Sequence, residues 1–364
     1  MKSIWTFFVL GIFLSPLIVT RSFSSATKTS LPVARNLFII TVDGFRWQEL
    51  FNGADSAILF SEKYTPDQET IAPQYWATTA AERRQKLMPF FWNVIAAKGQ
   101  IFGNRQLQNK VDAANFYSLS YPGYNELFTG TTDMQLSSNR KKHNPNINVF
   151  EYLDQQPEFA RKVAVFSSWD VFPYILNTNR NKLPVNSGYT PATGDSEAEV
   201  LINTVQRESV TDKKSTRYDQ LTFLAAREYL QQNKPRVFCL GLGETDEYAH
   251  DGRYDLYLQQ ASQVDRMIAD LWHWVQTTPG YKNNTTFIIT TDHGRGNRPG
   301  NWTVHGEFIS GSSQAWMALL GPGIEAAGEI HGNEQRYLQQ LAQTMAGLLG
   351  EEFNTAEAPA IALH

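Results

Sequence analysis

Seven side chains, drawn from five places along this sequence, have the types needed to hold metal ions around a reactive hydroxyl. In Thr290-Thr291-Asp292-His293-Gly294-Arg295-Gly296, Asp292 and His293 follow the apolar run 285–289. That run is β-branched and aromatic, the signature of a buried strand. A carboxylate and an imidazole at a strand end can share one ion, and the glycines after them let the backbone turn away. Asn36-Leu37-Phe38-Ile39-Ile40-Thr41-Val42-Asp43-Gly44 repeats the device with Asp43. In residues 243–252, Asp246 and His250 stand four apart, so one helical turn puts both on the same side. His305 sits in Asn301-Trp302-Thr303-Val304-His305-Gly306-Glu307, and Ser120 opens Ser120-Tyr121-Pro122-Gly123.

Each of these has a plainer reading alone: Asp292 can cap a turn, and Ser120 can cap a helix whose first turn holds Pro122. Together, three carboxylates, three of the chain's seven histidines and one serine stand just past apolar strands or at a helix start. In open α/β sheets that is where chemistry collects. Hydrolysing a phosphate ester requires charge stabilisation on the attacking, leaving and equatorial oxygens at once. Two metal ions about 3.5–4 Å apart can clamp both apical oxygens. The seven ligands divide into Asp246, His250 and His305 for one ion, and Asp43, Ser120, Asp292 and His293 for the other. The second ion would lower the pKa of the Ser120 hydroxyl and make it a nucleophile without a histidine base. A helix N-terminus at Ser120 would also favour a phosphate-like anion.

The elements that must position these residues alternate. Strands are expected at 36–42, 100–105, 161–167, 236–243, 285–289 and 314–321, and helices at 76–98, 217–232, 254–274 and 335–349. Gly130 should end a short helix beginning near Ser120. Trp272, His273 and Trp274 look like packing residues, and 175–215 looks loop-like and polar. This alternation predicts one doubly wound, mostly parallel α/β sheet with helices on both faces. The polar interval 131–215 is expected to form a small lid or substrate-shaping insertion.

Composition excludes some partners. The chain is 42% hydrophobic and 19% charged with a formal net charge of -4, so no nucleic-acid-binding surface is evident. Lys2 followed by the apolar run 4–19 and then Ser24-Ser25-Ala26 has the layout of a secretory signal peptide over residues 1–26. The expectation is a secreted or periplasmic protein with no stable membrane anchor after cleavage, residues 27–364 forming one hydrolase domain. Cys239 is the only cysteine, so no internal disulfide can form; it lies in an apolar strand and is most simply a small buried hydrophobe.

With Asp43-Gly44, Ser120-Tyr121-Pro122, Asp246-x-x-x-His250, Thr291-Asp292-His293-Gly294 and His305-Gly306 in this order, the chain from about 36 to 350 resembles the alkaline phosphatase superfamily. It looks most like the type I phosphodiesterase/nucleotide pyrophosphatase branch, which often has threonine where this chain has Ser120. The resemblance implies two divalent metal ions with the ligand division above, zinc foremost and manganese as the alternative. It also implies a phosphoseryl intermediate, a small-molecule phosphate ester as substrate, and an asparagine about twenty residues past the nucleophile that holds a phosphoryl oxygen. Asn139 lies at that spacing, with Asn125, Asn144 and Asn146 as competitors. Sulfatases are set aside because the position their motif gives to arginine is Tyr124, and the phosphoglycerate mutases because they are cytoplasmic and carry a larger insertion. A monoester dianion is usually met by an extra cation, whereas the expected strand end at 167–172 offers Trp169 and Phe172. That favours a phosphodiesterase modestly, unless Arg140, Lys141, Arg180 or Arg295 folds over the site. The alternatives are a phosphomonoesterase of the same fold and a noncatalytic metal- or phosphate-binding relative.

Overall fold

The computed structural model describes residues 34–209, 213 and 215–363; the expected signal peptide lies outside them. Among the described residues eleven strands occur: β1 Asn36–Val42, β2 Gly99–Phe102, β3 Lys110–Asp112, β4 Val163–Ser167, β5 Val185–Ser187, β6 Val237–Leu242, β7 Thr285–Thr290, β8 Gln314–Ala315, β9 Met317–Leu320, β10 Gly328–Glu329 and β11 Gln335–Tyr337. Eight of them form one sheet in the order β10-β2-β9-β7-β1-β6-β4-β5, and β11-β3-β8 form a second, small one. The large sheet is parallel except where β9 runs against β7 and β2.

Strand β1 explains why both faces carry helices. It is buried along its whole length, and its side chains alternate: Phe38, Ile40 and Val42 enter one apolar core, and Leu37 and Ile39 the other. A strand with two dry faces reads as an unbroken apolar run. The first core is covered by helices that include Asp219–Asn233 and Tyr254–Thr277, and the second by helices that include Ser120–Thr129, Val149–Gln155 and Gln340–Leu348. The expected doubly wound, mostly parallel α/β fold is observed.

Several local expectations need correction. The helix expected over 76–98 breaks at Met88: Ala80–Leu87 is α-helical and Phe91–Ile95 is a π-turn. The run 314–321 splits at Trp316 into β8 and β9, which belong to different sheets. Residues 335–337 pair in parallel with Lys110–Asp112 instead of opening the last helix, which begins at Gln340. The interval 175–215 is not all loop: it contributes β5 to the large sheet and the helix Glu197–Glu208, started by a reciprocal Ser196–Glu199 capping box. Trp272 and Trp274 do pack, against Phe287 and against Phe38 and Tyr281, but His273 between them is exposed. Among the described residues no helix is long and apolar enough to cross a membrane.

Candidate metal centre

The three strands that carry the candidate carboxylates are adjacent, in the order β7-β1-β6. Their register pairs Thr41 with Thr290 and Val42 with Leu242, so all three end at one level. Asp43 follows β1 directly, Asp292 follows β7 by two residues, and Asp246 lies in the first turn of the Glu244–His250 helix after β6. One turn on, that helix presents His250, as the four-residue spacing predicts.

Two groups of ligand atoms result, Asp246–His250–His305 and Asp43–Asp292–His293, with the atoms within each group no more than 4.8 Å apart. His250 Nε2 is 3.2 Å from Asp246 Oδ2 and 3.1 Å from His305 Nε2. His293 Nε2 is 3.4 Å from both Asp43 Oδ1 and Asp292 Oδ2. The groups adjoin: the His293 and His305 rings stack with centroids 3.9 Å apart. The Gly44 N–H donates to Asp292 Oδ1 at 3.1 Å.

Two glycines make this approach possible. Gly44 has φ +57, and a Cβ there would lie 2.5 Å from Asp246 Oδ1. A Cβ on Gly123 would lie 2.5 Å from the Asp292 carbonyl oxygen, so only glycine lets the Ser120–Thr129 helix come this close to the end of β7. Ser120 is therefore buried against the second group, its Oγ 3.1 Å from His293 Nε2 and 3.4 Å from Asp43 Oδ1. The helix starts one residue earlier than expected: Leu119 is its N-cap and makes no side-chain cap, so Ser120 is the first helical residue and its hydroxyl is directed at the carboxylates. Gly130 ends the helix in the left-handed conformation, as expected. Asn139 does lie beside Ser120, where its Oδ1 accepts the Tyr121 N–H at 2.9 Å. Its competitors Asn125, Asn144 and Asn146 bond to one another away from that helix start.

The histidine tautomers follow from their second nitrogens. His293 Nδ1 lies 2.8 Å from the Gly294 carbonyl and His305 Nδ1 lies 2.8 Å from the Ser118 carbonyl. Both therefore carry Nδ1–H and turn an Nε2 lone pair into the site. Ser118 adopts φ +47, a conformation rare for a residue with a side chain, and this aims its carbonyl at His305. Burial first, and then the neighbouring His293, hold the His305 pKa well below the usual imidazole range, so the ring is neutral and able to ligate.

The carboxylates fit cations. Burial, and then the charge of Asp246, push Asp43 well above the usual carboxyl range; burial, and then Asp43, do the same to Asp292. Asp292 Oδ2 is buried and accepts no hydrogen bond, a costly arrangement that a bound cation would relieve. Asp246 differs: burial would raise its pKa, but Arg295, His250 and His305 outweigh it and hold the carboxyl well below the usual range. Arg295 is buried, pairs with Asp246 Oδ1, and is anchored by its Nε–H to the Trp302 carbonyl at 3.0 Å. Its place directly after Asp292-His293-Gly294 was the available signal, but spacing could not say that it would point at a ligand and not at substrate. Arg46 and Glu49, a fully buried ion pair not singled out in the sequence, tie the same loop down through Arg46 Nη1 and the Gly296 carbonyl, 3.0 Å apart.

A second buried network sets the ligand-bearing helix. Asp219 accepts the Gly243 N–H at 2.9 Å, the Glu244 N–H at 3.2 Å and Gln260 Nε2 at 2.7 Å, and also the Ser168 hydroxyl. Burial, and then the charge of Glu244, raise the Asp219 pKa from 3.8 to about 7. A carboxyl with a raised folded pKa holds more proton in the folded than in the unfolded state, so stability falls as pH rises through that window. Asp219→Asn is expected to flatten this decline in denaturation midpoints measured between 3.8 and about 7. A slope equal to that of the wild type would assign the proton elsewhere.

The sheet thus carries two carboxylate–histidine groups and a serine just beyond the ends of its central strands. The Metalloenzyme superfamily model matches residues 194–305, a segment that includes Asp246, His250, Asp292, His293 and His305. A comparison with curated proteins gives no match. Among solved structures, the wild-type alkaline phosphatase PafA is 11% identical with a TM-score of 0.57, over 91% of this chain and 99% of that one. The lipoteichoic acid synthase LtaP from Listeria monocytogenes is 12% identical with a TM-score of 0.55, over 88% and 73%. The phosphonate monoester hydrolase SpPMH from Silicibacter pomeroyi is 13% identical with a TM-score of 0.54, over 90% and 75%. At these identities the likeness is one of fold. The fold is alkaline phosphatase-like, and the segment 194–305 matches the Metalloenzyme superfamily model, in line with the resemblance carried by the sequence motifs.

Proposed function

We propose that this chain is an exported dimetal phosphohydrolase that cleaves phosphodiesters through a phosphoseryl intermediate. The observation that carries the reading is Ser120 Oγ, buried 3.1 Å from His293 Nε2 and 3.4 Å from Asp43 Oδ1, beside two separate groups of three ligands. Asp43, Ser120, Asp292 and His293 would hold one divalent ion, zinc or manganese, and Asp246, His250 and His305 the other. Such ions supply Lewis-acid stabilisation to the attacking and leaving oxygens and lower the pKa of a coordinated hydroxyl.

The chain's own residues then account for the rest. Ser120 Oγ forms a bond to phosphorus while the bond to the leaving alcohol's oxygen breaks, and the serine proton ends on that oxygen. The alcohol departs on the Asp246–His250–His305 side. Water later breaks the phosphoserine bond, its oxygen departing on phosphorus and one of its protons restoring the Ser120 hydroxyl. Arg295 holds Asp246 in place, and Asn139, fixed by the Tyr121 N–H, is suited to a phosphoryl oxygen. Export rests on the charge and apolar pattern of residues 1–26. Residues 27–364 act as one hydrolase domain, with the parts of 131–215 outside β4 and β5 shaping the substrate side.

The diester preference rests on where the cations go. Lys141 pairs with Asp170 at 2.6 Å, Arg180 with Glu151 at 2.7 Å, and Arg295 with Asp246. Each of these three is already matched by a carboxylate, so of the four cations singled out only Arg140, exposed next to Asn139, is left to meet a monoester's second charge. Trp169 lies 6.4 Å from the ring of Tyr124, on the helix that starts at Ser120, an aromatic surface suited to a diester's second substituent.

The direct test compares kcat/KM for matched mono- and diesters on zinc-loaded protein, with EDTA abolishing both. A monoester preference would replace the phosphodiesterase with a phosphomonoesterase. Tight metal binding without turnover of any phosphate ester would leave the noncatalytic alternative. Trp169→Ala should lower kcat/KM about tenfold for a diester with an aromatic non-leaving group, and much less for the monoester. Equal losses would show that the ring only supports the fold.

A further inference from the structure

Two of the most exposed aromatic rings in the described chain stand together on the two loops that meet where His305 is braced by Ser118. Phe308 is 82% exposed and Phe116 is 53% exposed, and they meet edge to face with centroids 6.2 Å apart. Phe116 also packs edge-on against Tyr117, whose hydroxyl donates to the Met134 carbonyl at 2.8 Å. Leaving apolar rings of this size in water forgoes the stabilisation that burial supplies, and adjacent exposed apolar residues mark a surface that meets something.

Both rings are carried on segments that are held in place by the metal-ligand scaffold. Phe116 follows Ala114 and Asn115, whose N–H groups donate to the buried Glu126 carboxylate at 2.7 and 2.8 Å. It precedes Ser118, whose N–H donates to Asn115 Oδ1 at 2.8 Å and whose carbonyl faces His305 Nδ1 at 2.8 Å. Phe308 stands three residues past His305 in a turn closed by the Ile309 N–H on the Gly306 carbonyl at 3.0 Å, with the Gly306 N–H on Ser312 Oγ at 3.0 Å. The pair is thus presented, not loosely attached.

Its side of the site decides what it meets. Displacement at phosphorus puts the attacking and leaving oxygens opposite one another. With Ser120 in the Asp43–Asp292–His293 group, the leaving oxygen emerges at Asp246–His250–His305. The His305 loop carries Phe308, and Ser118, which braces His305, is two residues from Phe116. We propose that Phe116 and Phe308 form an apolar wall for the leaving alcohol, favouring esters whose leaving group carries an aromatic ring. This rests on the phosphodiesterase reading above.

The test uses the zinc-loaded full chain and two methyl phosphodiesters that differ only in the leaving group: 2-naphthyl, and hexafluoroisopropyl as an aliphatic leaving group of similar acidity. The wild type should favour the naphthyl ester, and Phe308→Ala and Phe116→Ala should each lower that preference about tenfold, with Phe308→Trp retaining it. Because both rings are exposed, thermal midpoints should stay close to that of the wild type. Equal loss on both esters, or an unchanged ratio, overturns the wall. Binding of free 2-naphthol, followed by its fluorescence, tests the same surface without turnover and should weaken in both alanine variants. A wild type that cleaves neither diester sinks the phosphodiesterase reading, and the naphthol arm then still decides the wall. A Phe308→Ala effect confined to sedimentation behaviour would assign the rings to a protein contact and overturn the proposal.

Discussion

Replacing Ser120 with alanine should cut phosphodiester turnover by about 10³-fold or more while leaving folding intact. The substitution removes one buried oxygen and nothing else. The Cβ, the helix start at Leu119 and the close approach at Gly123 are unaffected. What disappears is the atom 3.1 Å from His293 Nε2 and 3.4 Å from Asp43 Oδ1. Mass spectrometry of acid-quenched wild-type reactions should find a phosphoryl group on the peptide containing Ser120, and none in the variant. Turnover within about tenfold of wild type would mean that water attacks phosphorus directly, and the phosphoseryl route would be wrong.

For Asp292→Asn the sign of the stability change should depend on metal. In EDTA the wild type buries two carboxyls, Asp43 and Asp292, whose pKa values burial and mutual charge push well up. Asp292 Oδ2 also has no hydrogen-bond donor. An amide keeps the oxygen that accepts the Gly44 N–H and offers an N–H where an unsatisfied oxygen stood, so the metal-free variant should gain roughly 1–3 kcal/mol. With zinc present the order should reverse, because the variant loses a ligand of the Ser120-side ion, and with it most activity. Calorimetry with and without zinc, together with metal analysis, reads both signs. A variant that is less stable in EDTA, or that still retains two ions, would contradict the ligand assignment.

The pieces legible beforehand were those that depend on short-range pattern. Apolar runs ending in Asp43 and Asp292 announced both the strand and the place of a candidate ligand at its end, because a strand dry on both faces has no alternation to obscure it. The Asp246–His250 spacing carried the helical turn within itself. The capping box at Ser196 and Glu199 was present as Ser-x-x-Glu, but its polar surroundings hid it. Other features depend on long-range pairing. Residues 335–337 become a strand only because Lys110–Asp112 lies alongside. Trp316 divides one apolar run between two sheets. Arg295, next to the ligands in sequence, could equally have reached for substrate, and only the fold turns it onto Asp246. Asp219 joins the ligand helix from twenty-four residues before Gly243, a distance over which spacing carries no information.

The adjacency of β7, β1 and β6 has one more consequence. Neighbouring strands repeat about every 4.8 Å, so the width of the cage is a property of backbone hydrogen bonding and not of any loop. The surfaces proposed to meet the two ester substituents, around Trp169 and around Phe308, lie on connecting segments, and the Phe308 loop also carries His305. Selectivity should therefore be transplantable at the level of side chains: exchanging those rings, with His305 and its brace Ser118 kept, ought to redirect which ester is cleaved without altering how many ions are held.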